Sequence, residues 1–223
     1  MRESSSGRLI GSEKMKTPWM EMTVRDFQAA LASSSPTPGG GTAAAIALGQ
    51  ASALTIMVCD LTIGKEKWKD GWDIAEKALL SAVKIMSRAG ELADEDSDAF
   101  DEVMASFKLP KDNEEEKTTR RNEIRKATMN ATEKPFETAK ISLQLMEFLP
   151  ELAQKGNANA VSDVGVAGLL ASAACKGALF NVDINLSSLP EEMALEIRKD
   201  APLIKESARI LSRKIMDEVR DRL

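Results

Sequence analysis

The chain has 223 residues, enough for one large domain, with a formal net charge of −5, a pI near 5.1 and no histidine. An acidic balance gives no general electrostatic reason to expect nucleic acid as a partner, since neutralising phosphates takes a concentrated basic face. The missing histidine removes the commonest general base and the commonest metal ligand, so no metal is expected and catalysis near neutral pH falls to carboxylates, lysine, cysteine or backbone dipoles.

Residues 1–16 lack the apolar run of a secretory signal and any helical period; they read as a disordered tail ahead of a single helical domain over 17–223. Thr23 then caps a short amphipathic helix, with Asp26 in the capping-box position and Val24, Phe27, Ala30 and Leu31 on one face. In Pro36-Thr37-Pro38-Gly39-Gly40-Gly41-Thr42 the prolines and glycines forbid regular structure before Thr42. From Thr42 to Cys59 the residues favour helix, and nothing between Asp26 and Asp60 is charged, which predicts a helix buried on every side. Its length could just span a thin bilayer, but Gln50, Ser52, Thr55 and the many alanines make a poor lipid-facing surface, so a core helix and no membrane are expected. Free N–H groups at its start suit an anion or a carbonyl; the alternative is that the glycines only make a turn.

Gly64 reads as a helix stop, with Lys65, Lys67 and Lys69 at the exit. A long helix follows from about Gly71 to Phe107, its apolar stripe formed by Ala78, Ile85, Ala89, Leu92, Ala99, Phe100, Val103 and Phe107. At 100° per residue Asp96 falls inside that stripe, while Asp94, Asp98 and Asp101 fall opposite. A buried carboxylate either finds donors on a neighbouring helix or takes up a proton, and a raised pKa suits it to acid-base work.

Asn113 with Glu114, Glu115 and Glu116 starts the next helix, laced with alternating charges; Pro135 is expected to kink it near Glu133-Lys134, and Pro150 to end the turn-rich helix that follows. The run Gly156 to Cys175 mirrors the Thr42 helix in its small, uncharged residues. Pairing the two gives the expected fold class: all-α, a multi-helix bundle with long antiparallel helices around two small-residue-rich central helices. Asp163, alone in charge between Lys155 and Lys176, is either a local cap or a site residue. The stretch Asn181 to Leu186 reads as a loop whose amides fix it or read a ligand edge. Pro190 with Glu191 and Glu192 opens a final helical region, interrupted at Ala201-Pro202 and closed by Ile204, Ala208, Leu211 and Ile215. Cys59 and Cys175 sit in apolar runs, as in a reduced, cytoplasmic protein.

These pieces, in this order, resemble the cyclodeaminase/cyclohydrolase family, that is, the C-terminal domain of formiminotransferase-cyclodeaminase and stand-alone methenyltetrahydrofolate cyclohydrolases. The features that carry the resemblance are the helix at Phe27, Pro36 to Thr42, Leu61-Thr62-Ile63-Gly64-Lys65, Asp94 to Phe100, Leu109-Pro110-Lys111 with Glu115-Glu116-Lys117, Gly156-Asn157 with Ser162-Asp163, and Asn181-Val182 with Ile184-Asn185-Leu186. Thr42 stands where serine is common, Asp60 where a neutral residue is usual, and Trp68 where tyrosine often follows the lysines. The resemblance implies a homodimer with no permanently bound cofactor, acting on a tetrahydrofolate derivative. It implies hydrolysis of 5,10-methenyltetrahydrofolate to 10-formyltetrahydrofolate, or cyclodeamination of 5-formiminotetrahydrofolate; a non-catalytic helical dimerisation module is the alternative from another class. The catalytic candidates are Asp96, inward on the helical wheel, Asp163 as an ionised partner, and Asp94, which the family motif includes although the wheel turns it outward. The substrate-binding candidates are Pro38, Gly39, Gly40, Gly41 and Thr42 against the pterin or the bridge, Lys65 at the glutamate tail, and Thr62, Asn157, Ser162, Asn181 and Asn185.

Overall fold

The computed structural model describes residues 17–223, so the tail expected over 1–16 lies outside the described residues. Six helices carry the fold: α1 (Val24–Leu31), α2 (Gly40–Thr62), α3 (Trp72–Ser106), α4 (Glu114–Lys155), α5 (Val161–Ser187) and α6 (Leu195–Arg220), with short 3-10 turns before α1, α3 and α5 and no strand among the described residues. The Thr23 side chain caps α1 by accepting from Asp26 N, and Asn113 caps α4 by accepting from Glu116 N at 2.9 Å. Gly64, at φ 75°, takes the left-handed position that terminates α2.

Successive long helices run antiparallel. Thr42 meets α3 at Asp96, Gly49 faces Ala89, and Trp72 Nε1 donates to Thr62 O at 3.0 Å. Arg88 reaches Glu137 on α4, and Cys175 of α5 lies against Ala139. Helices α2 and α5 close the ring: a Cβ on Gly177 would lie 3.6 Å from Ala44 Cβ, the close approach that small residues permit. Helix α6 lies outside, over α4 and α5, with Ile215 and Val219 set against Gly168 and Gly165. Leu48, Leu92, Leu145, Met146 and Leu149 are fully buried in the core, each contributing about 1.5–3 kcal/mol by removal from water.

The structure alters several expectations. Regular helix begins at Gly40, before Thr42, because Gly39 takes the extended capping conformation and Gly40 and Gly41 enter the first turn. Helix α2 is not covered all round: Gln50, Ala53, Met57 and Leu61 are exposed. Phe100 and Phe107 of the α3 stripe are also exposed, while Ala78, Ile85, Ala89, Leu92 and Ala99 are buried. Helix α4 passes through both Pro135 and Pro150, and α6 through Pro202. The supposed loop Asn181 to Leu186 forms the last turns of α5, since Val182 and Leu186 are drawn into the core. Pro190 does not open a helix; it lies in the turn before Ala194, whose left-handed backbone precedes α6. By length and composition α2 and the segment Ala158–Ser187 could each cross a membrane, yet just over half of the apolar 18-residue stretch in each is buried inside the bundle.

Candidate active site

Asp96 sits where α3 passes the first turn of α2. A Cβ on Gly41 would lie 2.2 Å from Asp96 Oδ1, so the carboxylate occupies the space that any larger residue at 41 would fill. Thr42 Oγ1 donates to Asp96 Oδ2 at 3.2 Å, and the Thr42 backbone amide, one of the free N–H groups of the helix start, also serves the carboxylate. Burial pushes the Asp96 pKa up, and the two Thr42 hydrogen bonds oppose that rise. The result is a carboxyl group raised by burial but still supplied with donors for its ionised form.

Behind Thr42 lies a buried polar chain. Thr42 Oγ1 and Ser97 Oγ are 2.9 Å apart, and Trp19 Nε1 donates to Ser97 Oγ at 3.0 Å. Asp94 lies here as well: the helical wheel turns it outward, but the N-terminal 3-10 turn folds over that face and Trp19 N donates to Asp94 Oδ1 at 2.9 Å. A wheel describes only its own helix, so this cover could not be read from it. Trp19 and Ser97 escaped the sequence reading; the available signal was a tryptophan just ahead of a helix cap in a chain with only 3 tryptophans.

The other candidates divide between two ends of the antiparallel α2/α5 pair. Near Asp96 are Pro38, buried, Gly39, Gly40, Gly41 and Thr42, with Asn181 opposite: its Nδ2 would lie 3.9 Å from a Cβ on Gly40 and donates to Gly177 O at 3.0 Å. At the far end Thr62 Oγ1 accepts from Asn157 N at 3.0 Å, Asn157 Nδ2 donates to Leu61 O at 2.9 Å, and exposed Ser162 and half-buried Asp163 open α5. Lys65, exposed, follows α2 at this same end. A 23-residue helix separates the two ends by roughly 33 Å. A single chain therefore does not bring Asp163 to Asp96. Asn185 lies one turn beyond Asn181 at the Asp96 end, but its side chain is engaged with α4, Nδ2 donating to Ala131 O at 2.8 Å.

The thiols offer no nucleophile. Burial pushes Cys59 up to about 12, with Asp60 adding to the effect, and Cys175 to about 11 against the opposing Lys176. What remains is a raised carboxyl group on a glycine-lined helix start, a group chemically able to accept or give a proton.

The family model described as formiminotransferase-cyclodeaminase matches residues 23–201. The chain belongs to this family. A methenyltetrahydrofolate cyclohydrolase of Methylorubrum extorquens is 35% identical over 202 residues, covering 90% of this chain and 97% of that protein. The formimidoyltransferase-cyclodeaminase of Rattus norvegicus is 32% identical over 178 residues, 79% of this chain, which spans 33% of that longer relative. Among solved structures, formiminotetrahydrofolate cyclodeaminase from Thermotoga maritima superposes with a TM-score of 0.76 at 26% identity, over 92% of this chain and 96% of its own.

Proposed function

We propose that this enzyme hydrolyses 5,10-methenyltetrahydrofolate to 10-formyltetrahydrofolate. The observation that carries the reading is the Asp96 carboxyl group, raised by burial and held on the first turn of α2 by Thr42. The methenyl bridge is an amidinium-like cation whose charge an ionised carboxylate stabilises. Water adds to the bridge carbon as Asp96 takes one of its protons; the carbon–N5 bond then breaks as Asp96 returns that proton to N5, and the remaining hydroxyl proton is released to solvent as the C=O of the N10 formyl group forms. The backbone from Gly39 to Thr42 forms one wall for the flat pterin, with Asn181 at its edge. No permanently bound cofactor enters the scheme, and a cytoplasmic location suits its substrate.

The experiment is loss of the methenyl chromophore with purified protein. Turnover that falls by about 10²–10⁴ in Asp96→Asn, in a protein that still folds, supports the assignment. Unchanged turnover removes Asp96 from the mechanism, and a stable protein with no turnover of either substrate leaves a non-catalytic helical module. A second reading is cyclodeamination of 5-formiminotetrahydrofolate, favoured by the named activity of the Thermotoga maritima neighbour. Ammonia and methenyl product from that substrate, without hydrolysis of the methenyl compound, would establish it instead.

We further infer a homodimer built on the outer surfaces of α2 and α5. Met57 and Leu61 on α2 and Val166, Leu169, Phe180 and Ile184 on α5 stay exposed along two neighbouring helices, an apolar surface that a second copy would cover. If two copies meet there with their α2 helices antiparallel, the Asp96 end of one lies beside the Thr62, Asn157 and Asp163 end of the other. Asp163 and Lys65 then serve the partner's substrate, the former as an ionised companion to Asp96, the latter at the glutamate tail.

A further inference from the structure

We propose that Trp19 is a positioning residue for Asp96, its indole N–H setting a one-way chain of hydrogen bonds through Ser97 and Thr42 that ends on the carboxylate. The proposal rests on the reading of Asp96 as the group that handles the proton.

The direction follows from what each group can do. The three contacts are Trp19 Nε1 to Ser97 Oγ at 3.0 Å, Ser97 Oγ to Thr42 Oγ1 at 2.9 Å and Thr42 Oγ1 to Asp96 Oδ2 at 3.2 Å. An indole N–H only donates, an ionised carboxylate only accepts, and each hydroxyl has a single hydrogen to give. With Asp96 ionised, one assignment makes all three contacts hydrogen bonds: Trp19 to Ser97, Ser97 to Thr42, Thr42 to Asp96. If Asp96 takes up a proton and gives it to Thr42, both hydroxyls must turn round. Ser97 then receives two donors and its own hydrogen must find another acceptor. The donor-only indole at the head of the chain opposes that reversal, so it favours the ionised carboxylate and fixes Oδ2.

The surroundings suit such a chain. Ser97 and Thr42 are wholly buried and Trp19 nearly so, so solvent does not compete for the bonds. The indole is pinned by Trp19 N on Asp94, by edge-to-face contact with Phe27 at 6.2 Å, and by packing on Ala45, Leu92 and Ala93.

The charged groups around this end of the bundle include Glu21 in the N-terminal 3-10 turn, Arg25 and Asp26 on α1, Asp94, Glu95, Asp98 and Asp101 on α3, Lys134 and Glu137 on α4, and Lys176 and Asp183 on α5; α2 presents none before Asp60. Glu95 is held by Arg88 and Lys134, Glu137 by Arg88, and Asp94 by Trp19 N. Burial raises the Asp96 pKa and the Thr42 hydrogen bonds oppose the rise.

The test follows the indole N–H of Trp19 and the carboxyl carbon of Asp96 by NMR across pH, with Trp19→Phe and Asp96→Asn assigning the signals. The indole proton of the wild-type protein is expected to shift with the midpoint of Asp96 and to become pH-independent in Asp96→Asn. The Asp96 midpoint is expected to move upward in Trp19→Phe and also in Ser97→Ala, which leaves the indole packing in place should the first variant fold poorly. Thr42→Ser keeps the coupling and Thr42→Val loses it. In the methenyl assay Ser97→Ala lowers kcat about fivefold, the equivalent of one ordinary hydrogen bond, with little change in KM. An indole signal that ignores pH, or that still titrates in Asp96→Asn, overturns the proposal, as does an unmoved Asp96 midpoint in Ser97→Ala. Coupling without turnover of either folate would keep the chain of bonds and sink the catalytic reading instead.

Discussion

Asn185 donates its side-chain amide to the Ala131 carbonyl at 2.8 Å, the carbonyl that Pro135 leaves without its helical donor. A proline four residues on removes one i to i−4 bond and usually bends or breaks a helix. Here an amide from α5 supplies the missing donor to α4. Asn185→Ala should therefore lower stability by about 1–3 kcal/mol, the cost of leaving a buried carbonyl unpaired, with turnover per folded molecule unchanged. Restoring the backbone donor with Pro135→Ala in the same chain should recover most of that loss. Urea unfolding of the two single variants and the double variant measures the coupling directly.

This bond shows where the sequence was readable and where it was not. The pairing of α2 with α5 could be read because runs of small, uncharged residues leave few other ways to bury two helices. The inward turn of Asp96 could be read because periodicity alone places it among Leu92 and Ala99. The continuity of α4 through Pro135 could not, since it depends on a side chain 54 positions away. Nor could the separation of Asp163 from Asp96: both sit at helix positions suited to a site, and only the antiparallel course of α2 and α5 puts them at opposite ends. Asn181 to Leu186 looked like a loop for its amides and continued as helix for its Val182 and Leu186.

Asp96 should cost the protein stability at neutral pH. Its folded-state pKa lies above the unfolded value, so its contribution favours the fold when protonated, is complete below the unfolded pKa, and is lost as pH rises through the folded one. Asp96→Asn, which cannot ionise, should melt higher than the wild-type protein at neutral pH and differ little from it in acid. Thermal unfolding across pH reads this; a variant less stable than wild type at neutral pH would make Asp96 a structural carboxylate.

Gly41→Ala offers a separate probe of the same contact. Alanine suits a helix better than glycine, so the fold should survive and α2 itself gain slightly. The new Cβ, however, would occupy the place of Asp96 Oδ1, 2.2 Å away, and must push the carboxylate off the helix start. Turnover should fall at least about tenfold, given how steeply catalysis depends on placement. Near wild-type kcat in this variant would show that Asp96 works equally well away from Gly41.

Arg88 binds Glu137 through Nε at 2.7 Å and is also held by Glu91 and Glu95, tying α3 to α4 at a half-buried site. Its guanidinium holds the pKa values of Glu95 and Glu137 below the usual range, against their burial. Lowered carboxylate values contribute stability that is present above the ordinary glutamate range and is lost as pH falls through the folded values. Arg88→Met should thus cost on the order of 1 kcal/mol at neutral pH after solvent screening, and should flatten the loss of stability on acidification. Denaturant unfolding at several pH values separates the two effects.

The separation of Asp96 from Asp163 makes the dimer testable through activity. If each site combines Asp96 of one copy with Asp163 of the other, Asp96→Asn and Asp163→Asn homodimers are both poorly active, yet a heterodimer of the two contains one site with both aspartates intact and one with neither. Unfolding and refolding an equal mixture should return about a quarter of wild-type activity, because half the dimers are mixed and half their sites are whole. Leu169→Glu, placing a charge on the exposed α5 stripe, should give monomers by light scattering and abolish that recovery. A refolded mixture no more active than its parents, from protein that is dimeric, would confine each site to one chain and remove Asp163 from it.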